Sequence, residues 1–239
     1  MPMALDVIEG WIARRERHYV TITGTHGIIE SQADDELRRI HNRAGLVTPD
    51  GMPLVWFSRL NGHRHVGRVY GPDLMLVLCE RSPGKGFRHY FYGGKEGVAE
   101  LLRTKLQRRF PGLSVVGTHS PPFRRLTEAE DDRIIETINA AEPDVVWVGL
   151  STPKQERWMA THVDRLDAPV LIGVGAAFDI HAGLLKQAPR WVQQSGLEWL
   201  FRVLSEPRRL WRRYLKIVPL FIIKILGQMT GLRRYGNDT

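Results

Sequence analysis

The sequence predicts an α/β protein whose mostly parallel sheet carries helices on both faces. Short apolar runs rich in valine and isoleucine alternate with longer segments whose apolar residues recur at helical spacing. Two of these runs, residues 145–150 and 170–174, lead into glycine and small residues before polar groups appear. That order is typical of buried parallel strands whose carboxyl ends border a ligand crevice. We expect a second crevice near Asp50.

Six strands follow from the apolar runs. They are short, rich in β-branched or aromatic residues, and most of them end at glycine, proline or a polar turn. In chain order, the predicted strands cover residues 19–23, 46–48, 88–92, 113–118, 144–150 and 170–174.

Helices are predicted in the intervals between strands. Thr127 with Glu130 three residues later forms a capping-box pattern, and Asp73 is a candidate helix cap. The helical pattern dominates from residue 191 to the end. The earlier predicted helices cover residues 6–17, 28–44, 54–60, 74–81, 95–110, 127–141 and 153–165.

Composition narrows the class of protein. The 239 residues are 43% hydrophobic, enough for one large or two small domains with a sizeable core. Cys79 is the one cysteine, which excludes an intramolecular disulfide framework, and its apolar neighbours predict a buried thiol. Residues 1–15 lack a signal-peptide pattern, and no run reaches the ~18 apolar residues needed to cross a bilayer. We therefore expect a cytoplasmic protein.

The net charge of +8 favours a polyanionic partner and is concentrated near the C-terminus. Residues 202–216 are strongly basic, and residues 217–226 are almost wholly apolar. A basic segment leading into an apolar one resembles an interfacial membrane anchor. We predict an α/β domain over residues 1–195 and a basic helical appendage over residues 196–239 that docks on an anionic membrane surface.

Eight short motifs occur in a fixed order over residues 21–213, and together they resemble the WecG/TagA/CpsF glycosyltransferases, glycosyltransferase family 26. One such motif would be weak, but eight in register are specific. They are PDG at 49–51, RVYGPD at 68–73, YGG at 92–94, PKQE at 153–156, GAAFD at 175–179, APRW at 188–191, GLEWLFR at 196–202 and EPR at 206–208.

The resemblance implies a Rossmann-like fold and an inverting hexosyltransferase with a UDP-sugar as donor substrate and no further cofactor. It implies a lipid-linked saccharide acceptor on a polyprenyl diphosphate, in cell-wall polymer or exopolysaccharide synthesis. The enzyme would be peripheral on the inner face of the cytoplasmic membrane. Family members usually carry Thr-x-Asn where this chain has Thr23-Gly-Thr25. That departure leaves the donor sugar open, and a homo-oligomer is also open.

Three residues are candidates for catalysis. Asp50 would be the general base that takes the proton of the acceptor hydroxyl, although an Asp-Gly pair alone is more often a turn. Arg68 would neutralise the leaving diphosphate, unless it is a surface arginine. Gln155 would hold a sugar hydroxyl or a phosphate oxygen, although Pro-Lys-Gln-Glu alone reads as a helix start. Its neighbours Lys154 and Glu156 are expected in solvent or at the helix cap. No Asp-x-Asp metal motif occurs, so a metal-free mechanism is the simpler expectation.

Six further residues are candidates for substrate binding. Asp179 would accept from ribose hydroxyls, or else cap a helix or pair with Arg190. A glycine pair before a helix would admit phosphate or uracil to the backbone, or is a plain turn. The end of the first strand would line the sugar pocket, with its histidine either a packed side chain or a second base. The remaining five candidates are Thr23, Thr25, His26, Gly93 and Gly94.

Five arginines of the appendage are candidates for acceptor and membrane binding. Four of them recur at helical spacing among leucine and aromatic residues, and each can add ~1 kcal/mol of attraction to an anionic membrane. Arg202 and the inner arginines would instead reach the acceptor's diphosphate. The alternative is an ordinary solvated face. The four arginines at helical spacing are Arg208, Arg209, Arg212 and Arg213.

Two other classes of function compete with the transferase. A nucleic-acid-binding protein would use the basic tail, but the chain shows no recognised nucleic-acid-binding motif. An NAD-dependent oxidoreductase would need a Gly-x-Gly-x-x-Gly after the first strand; residues 173–178 come late and lack the third glycine.

Overall fold

The computed structural model describes residues 1–232, with Arg209 described by its backbone alone. It contains one six-stranded sheet, wholly parallel, in the order β2-β1-β6-β5-β3-β4. The predicted α/β class and all six predicted strands are confirmed, within two residues at each end. The strands are β1 (His18–Thr23), β2 (Leu46–Pro49), β3 (Arg88–Gly93), β4 (Ser114–His119), β5 (Val145–Gly149) and β6 (Val170–Gly173).

Twelve helices surround this sheet in the described residues. The first eight precede or connect the strands, and the last four follow β6. They are α1 (Pro2–Arg14), α2 (Thr25–Ser31), α3 (Asp35–Arg43), α4 (Met52–Leu60), α5 (Gly71–Arg81), α6 (Val98–Arg109), α7 (Glu128–Ala140), α8 (Lys154–His162), α9 (Ala177–His181), α10 (Arg190–Gln194), α11 (Glu198–Ser205) and α12 (Pro207–Met229).

Both faces of the sheet are covered, because successive strand residues point to opposite sides. On one face, Phe91, Trp147 and Ile172 pack with α1, α5, α6 and α9. On the other face, Tyr92 and Val148 pack with α3, α7 and α8. Two-sided burial explains why the strands read as continuous apolar runs rather than as alternating ones.

The predicted helix over residues 28–44 is two helices, α2 and α3. Residues 32–34 interrupt it, and the carboxylate of Asp34 accepts a hydrogen bond from the amide of Leu37 at 3.0 Å. Asp34 is therefore an N-cap in extended conformation rather than a mid-helix residue. The continuous prediction was wrong because apolar spacing was followed through a local cap.

Asp73 was predicted to cap α5, but it does not, because the helix starts earlier. It begins at Gly71 with Pro72 in its first turn, which leaves Asp73 inside the helix. The Asp73 carboxylate instead receives both terminal nitrogens of Arg190, at 2.5 and 3.0 Å. By contrast, the capping box of Thr127 and Glu130 is confirmed at the start of α7, and Cys79 is fully buried as expected.

A buried polar chain joins the sheet to α5. The Trp147 indole donates to His89 Nδ1 at 2.9 Å, and His89 Nε2 lies 2.7 Å from Ser82 Oγ. Ser82 Oγ donates to the carbonyl of Leu78 at 2.5 Å. Burial lowers the pKa of His89 to about 3, so the ring is neutral at physiological pH.

The C-terminal part is helical as far as Met229, as predicted, and residues 233–239 of the predicted appendage lie outside the described residues. α12 packs against α2 and α11, and Leu210 and Ile217 are its buried apolar contacts. Within residues 1–232, no helix combines the length and the apolar character that crossing a bilayer requires.

Candidate functional site

Five neighbouring strands end along one edge of the sheet. In spatial order these are β3, β5, β6, β1 and β2, and the segments that follow them carry most of the predicted site residues. The two crevices expected from the sequence therefore share one edge, because β1 lies directly between β2 and β6. This is the edge where open α/β sheets bind ligands.

Asp50 follows the last residue of β2 and lies against the end of β1. Its amide donates to the carbonyl of Thr23 at 3.0 Å, and its carboxylate lies beside Gly24. The backbone amide of Gly71, at the start of α5, acts on the carboxylate and lowers its pKa. Its Oδ1 is enclosed and has no hydrogen-bond partner among the described residues. The turn interpretation of Asp50 does not account for an enclosed oxygen left without a partner.

The environment of Asp50 makes its carboxylate more basic. Burial raises its pKa to about 6, and the negative charge of Glu198 adds to the increase. Arg68, Arg202 and the Gly71 amide act in the opposite direction without cancelling it. A carboxylate with a pKa slightly below neutral is ionised at physiological pH and still accepts a proton readily, as a general base requires.

Arg68 is held by three acceptors. Its Nε donates to the carbonyl of Asp50, Nη1 donates to Gln193 Oε1 at 2.9 Å, and Nη2 forms an ion pair with Glu198. Its guanidinium also stacks 4.2 Å from the centre of the Tyr70 ring. Arg68 is thus a fixed part of the wall beside Asp50, and a phosphate would have to displace Gln193 or Glu198 to reach its terminal nitrogens.

Arg202 brings a second positive charge to the same place. It comes from α11 and interacts electrostatically with Asp50, Tyr70 and Glu198, which raise its pKa. The structure therefore places Arg202 at the Asp50 end of the site, whereas the sequence suggested only that it belongs with the arginines of the appendage.

His26 is a neutral, partly buried ring. Burial, with help from Arg213 and Arg202, lowers its pKa to about 3. Its Nε2 is 3.2 Å from Glu30, but the geometry makes no hydrogen bond. A ring with so low a pKa is a poor base near neutrality, which favours the packed histidine of the two interpretations.

Gln155 lies under the end of β6. Its amide is close to Gly173 and Gly175, and its Nε2 donates to Glu156 at 3.1 Å. Gln155 Oε1 and Glu156 Oε2 are both enclosed without a partner among the described residues. Glu156 is 1% exposed and was expected in solvent or at a helix cap. That expectation was wrong, because α8 turns this face against the sheet.

Packing explains the glycines at the strand ends. A Cβ on Gly93 would meet the backbone of Gly149 at 2.6 Å, one on Gly149 would meet Phe178 at 2.8 Å, and one on Gly173 would meet Met159 at 2.7 Å. Gly94 has a φ of 76° and lies against Val98. Protein atoms fill the space that a side chain would need at these positions. Close packing therefore accounts for the glycines without a ligand at the backbone.

The remaining predicted substrate-binding residues lie in two places, the end of β1 and helix α9. Thr23 is buried, with Oγ1 3.4 Å from His41 Nδ1, and Thr25 begins α2 beside it. Asp179 lies in α9, and Arg190 forms an ion pair with Asp73.

The arginines of the tail separate by exposure. Arg208 and Arg212 are exposed on α12, and Arg213 is partly buried within electrostatic reach of His26. The side chain of Arg209 lies outside the described part of the chain.

Glu198, Gln193 and Tyr70 are site residues that the sequence analysis missed. Glu198 lies in the motif at 196–202 and Tyr70 in the motif at 68–73, so motif membership was the available signal. Residues 1–232 contain no group of three histidine, cysteine, aspartate or glutamate side chains placed to hold a metal ion.

Comparison with known proteins gives one family. The model of the "Glycosyl transferase WecG/TagA/CpsF family" matches residues 1–235. An N-acetylglucosaminyldiphosphoundecaprenol N-acetyl-beta-D-mannosaminyltransferase of Bacillus spizizenii is 30% identical over 197 residues, covering 82% of this chain and 74% of that protein. Proteins of the same name from Staphylococcus aureus strains MW2 and N315 are 29% identical over 184 residues, covering 77% of this chain and 70% of each.

Proposed function

The chain belongs to the WecG/TagA/CpsF family of glycosyltransferases, and from this premise we propose that it transfers a sugar from a UDP-sugar to a lipid-linked saccharide, with inversion and without a metal ion. The acceptor would be a saccharide on a polyprenyl diphosphate, because the relatives are named for N-acetylglucosaminyldiphosphoundecaprenol. The product would enter cell-wall polymer or surface polysaccharide synthesis. Family membership favours this function over nucleic-acid binding and NAD-dependent oxidation.

The observation that carries the proposal is the enclosed Asp50 carboxylate, with a pKa of about 6 and one oxygen without a partner. Asp50 would take the proton of the acceptor hydroxyl as that oxygen bonds to the anomeric carbon. The bond from that carbon to the β-phosphate oxygen would break on the opposite face, and its electron pair would leave with UDP. Attack opposite the leaving group inverts the anomeric carbon, as in inverting glycosidases.

Positive charge near Asp50 would stabilise the departing diphosphate. Arg202 is the stronger candidate, because Arg68 is already held by Asp50, Gln193 and Glu198. Guanidinium groups bind phosphate oxygens well and offset negative charge as it develops. Gln155, with its unpartnered Oε1, would hold a hydroxyl of the donor sugar.

The donor sugar is the finer part of the proposal. The relatives are named for N-acetyl-beta-D-mannosamine transfer, so UDP-N-acetylmannosamine is the first donor to test. Thr25 stands where the family usually has asparagine. If UDP-N-acetylmannosamine is not used as a donor, we expect this difference to have changed the donor sugar.

The test is UDP release by the full-length protein over a panel of UDP-sugars, with a membrane-lipid extract as acceptor and EDTA present. We expect acceptor-dependent release, and a loss of about 10²- to 10⁴-fold in Asp50→Asn because proton transfer contributes that much. Asp6→Asn, on the exposed side of α1, is the matched control and should keep full activity.

Two results would contradict parts of the proposal. Undiminished release by Asp50→Asn would remove Asp50 as the base. Release that EDTA abolishes and Mg²⁺ restores would overturn the metal-free mechanism. The anomeric configuration of the product, measured by NMR, decides between inversion and retention.

A further inference from the structure

An apolar groove lies beside Asp50 and has no part in the chemistry above. Its volume is about 420 Å³, within the range of roughly 300–1,000 Å³ typical of small-molecule sites. Helices α2, α4 and α12 form its walls, and β2 forms its floor. Its apolar lining includes Ile28, Leu54, Phe57, Phe221 and Ile225.

One end of the groove lies beside the segment that carries the proposed catalytic base. Thr23 and Pro49 line the groove, Pro49 directly precedes Asp50, and the Asp50 amide donates to the carbonyl of Thr23. A ligand at this end of the groove would therefore lie next to that segment.

The charges around the groove suit an anionic head group. Lys224 is the one charged residue among the described lining residues. Arg213 acts electrostatically on His26, which lies in α2 just before the lining residues Ile28 and Ile29. The groove thus combines nearby cationic groups with an apolar channel, which matches an anion attached to an apolar chain better than a nucleotide.

The outer side of the groove continues into exposed apolar surface on α12. Ile222, Ile223 and Leu226 flank the lining residues of that helix and are 50–64% exposed. An apolar chain leaving the groove would pass along this surface, and apolar surface of this kind beside basic residues suits a membrane interface.

We propose that this groove binds the first isoprene units of a prenyl diphosphate, the lipid part of the acceptor. The inference rests on the proposed function for the identity of the lipid. It adds a second binding site, formed jointly by α4 of the α/β domain and α12 of the appendage. The diphosphate would lie toward Arg213, and the chain would run between Phe57 and Phe221.

The first arm of the test measures binding without turnover. Inorganic diphosphate, geranyl diphosphate and farnesyl diphosphate are titrated into the full-length protein by calorimetry. We expect affinity to rise by about tenfold or more for each added isoprene unit that the groove covers, because each buries several apolar carbons. Equal affinity for inorganic diphosphate and farnesyl diphosphate would overturn the proposal.

The second arm fills the groove from two sides. Ser58 and Gln228 are polar lining residues on opposite walls. Ser58→Trp and Gln228→Trp should each lower the affinity for farnesyl diphosphate at least tenfold while leaving that for inorganic diphosphate unchanged. The controls are Leu60→Trp and Met229→Trp, on the same two helices but outside the lining and 72% and 58% exposed.

Two comparisons separate this proposal from the proposed function: the affinity of the control variants for farnesyl diphosphate, and the affinity of the groove variants for UDP. If the control variants lose as much affinity as the groove variants, the groove is not the site. If Ser58→Trp and Gln228→Trp weaken UDP binding instead, the groove holds the nucleotide and the proposal fails. Chain-length-dependent binding that both groove variants reduce would support the groove even in a protein that releases no UDP, in which case only the transferase mechanism fails.

Discussion

At the scale of single residues, the site depends on two acidic side chains with different roles. Glu198 neutralises Arg68 and raises the pKa of Asp50, while Asp50 keeps one oxygen without a partner. Glu198 thereby prevents Arg68 from lowering the basicity of Asp50 as far as an unpaired arginine would. Glu198 is best described as a positioning residue, since it acts through Asp50 and Arg68.

The raised pKa of Asp50 predicts a cost in stability. The folded value is about 6 against a reference of 3.8, so the folded state binds this proton more tightly and stability falls as pH rises from 4 to 6. Above that window, Asp50→Asn should raise the free energy of unfolding by up to about 3 kcal/mol. That gain corresponds to a melting temperature higher by up to roughly 6–12 °C at pH 8 for a chain of this size.

Thermal unfolding at pH 8 and below pH 4 measures this effect. The difference between Asp50→Asn and the native protein should vanish below pH 4, where Asp50 is protonated in both states. Asp6→Asn should show no comparable gain at pH 8. An Asp50→Asn variant that is less stable at pH 8 would mean that the carboxylate is stabilised in the fold and would contradict its raised pKa.

At the scale of elements, the paired strands β3 and β5 approach closely at their carboxyl ends. Gly93 has a φ of 132°, and a Cβ there would meet the Gly149 backbone at 2.6 Å. Because neither backbone can move without breaking the ladder, Gly93→Ala should lower the free energy of unfolding by about 3 kcal/mol or more. Gly84→Ala, where the nearest atom is at 3.9 Å, is the control and should change it little. Urea denaturation curves of both variants measure the difference, and equal midpoints would contradict the packing argument.

Local signals determined which elements could be predicted. The capping box at Thr127 involves residues three positions apart, so the sequence contains all of it. The strand-end rule placed Gln155, Thr23 and Asp50 after predicted strands, but in two crevices. The strand order of the sheet brings them along one edge. The Arg68–Glu198 pair joins residues 130 positions apart, and no local pattern marks such a contact. Asp34 is an N-cap residue that the sequence could have indicated. The helix break at Asp34 was not predicted because the helical spacing of apolar residues continues across it.

At the scale of the whole molecule, α12 presents exposed positive charge beside exposed apolar side chains. Arg208, Arg212 and Lys216 are exposed on α12, near exposed Trp211 and Leu215. Each cation near an anionic bilayer adds roughly 1 kcal/mol, and salt screens the attraction. We therefore predict that the protein floats with phosphatidylglycerol vesicles and that 0.5 M NaCl reduces the bound fraction.

Charge variants test the surface without removing the helix. Replacing Arg208, Arg212 and Lys216 together by glutamine should weaken vesicle binding about 100-fold, three charges at roughly 1 kcal/mol each. The control replaces Arg39, Arg108 and Arg133, which are exposed on α3, α6 and α7. Equal losses in both triple variants would show that net charge alone, and not α12, attracts the membrane. Undiminished flotation of a chain ending at Glu206 would exclude the tail as the anchor.

The buried chain from Trp147 through His89 to Ser82 has one further consequence, which lies in its polarity. An indole nitrogen can only donate, so His89 Nδ1 must accept its hydrogen bond and the ring proton must be on Nε2. His89 Nε2 then donates to Ser82 Oγ, and the Ser82 hydroxyl donates to the carbonyl of Leu78. The donor and acceptor of each hydrogen bond are fixed, so none of the three can reverse its direction if the helix shifts. The carboxyl end of α5 is thereby locked in register with the centre of the sheet. The same helix begins at Gly71, whose backbone amide acts on the Asp50 carboxylate and lowers its pKa. A shift of α5 at its buried carboxyl end would therefore also move an amide that acts on the proposed base.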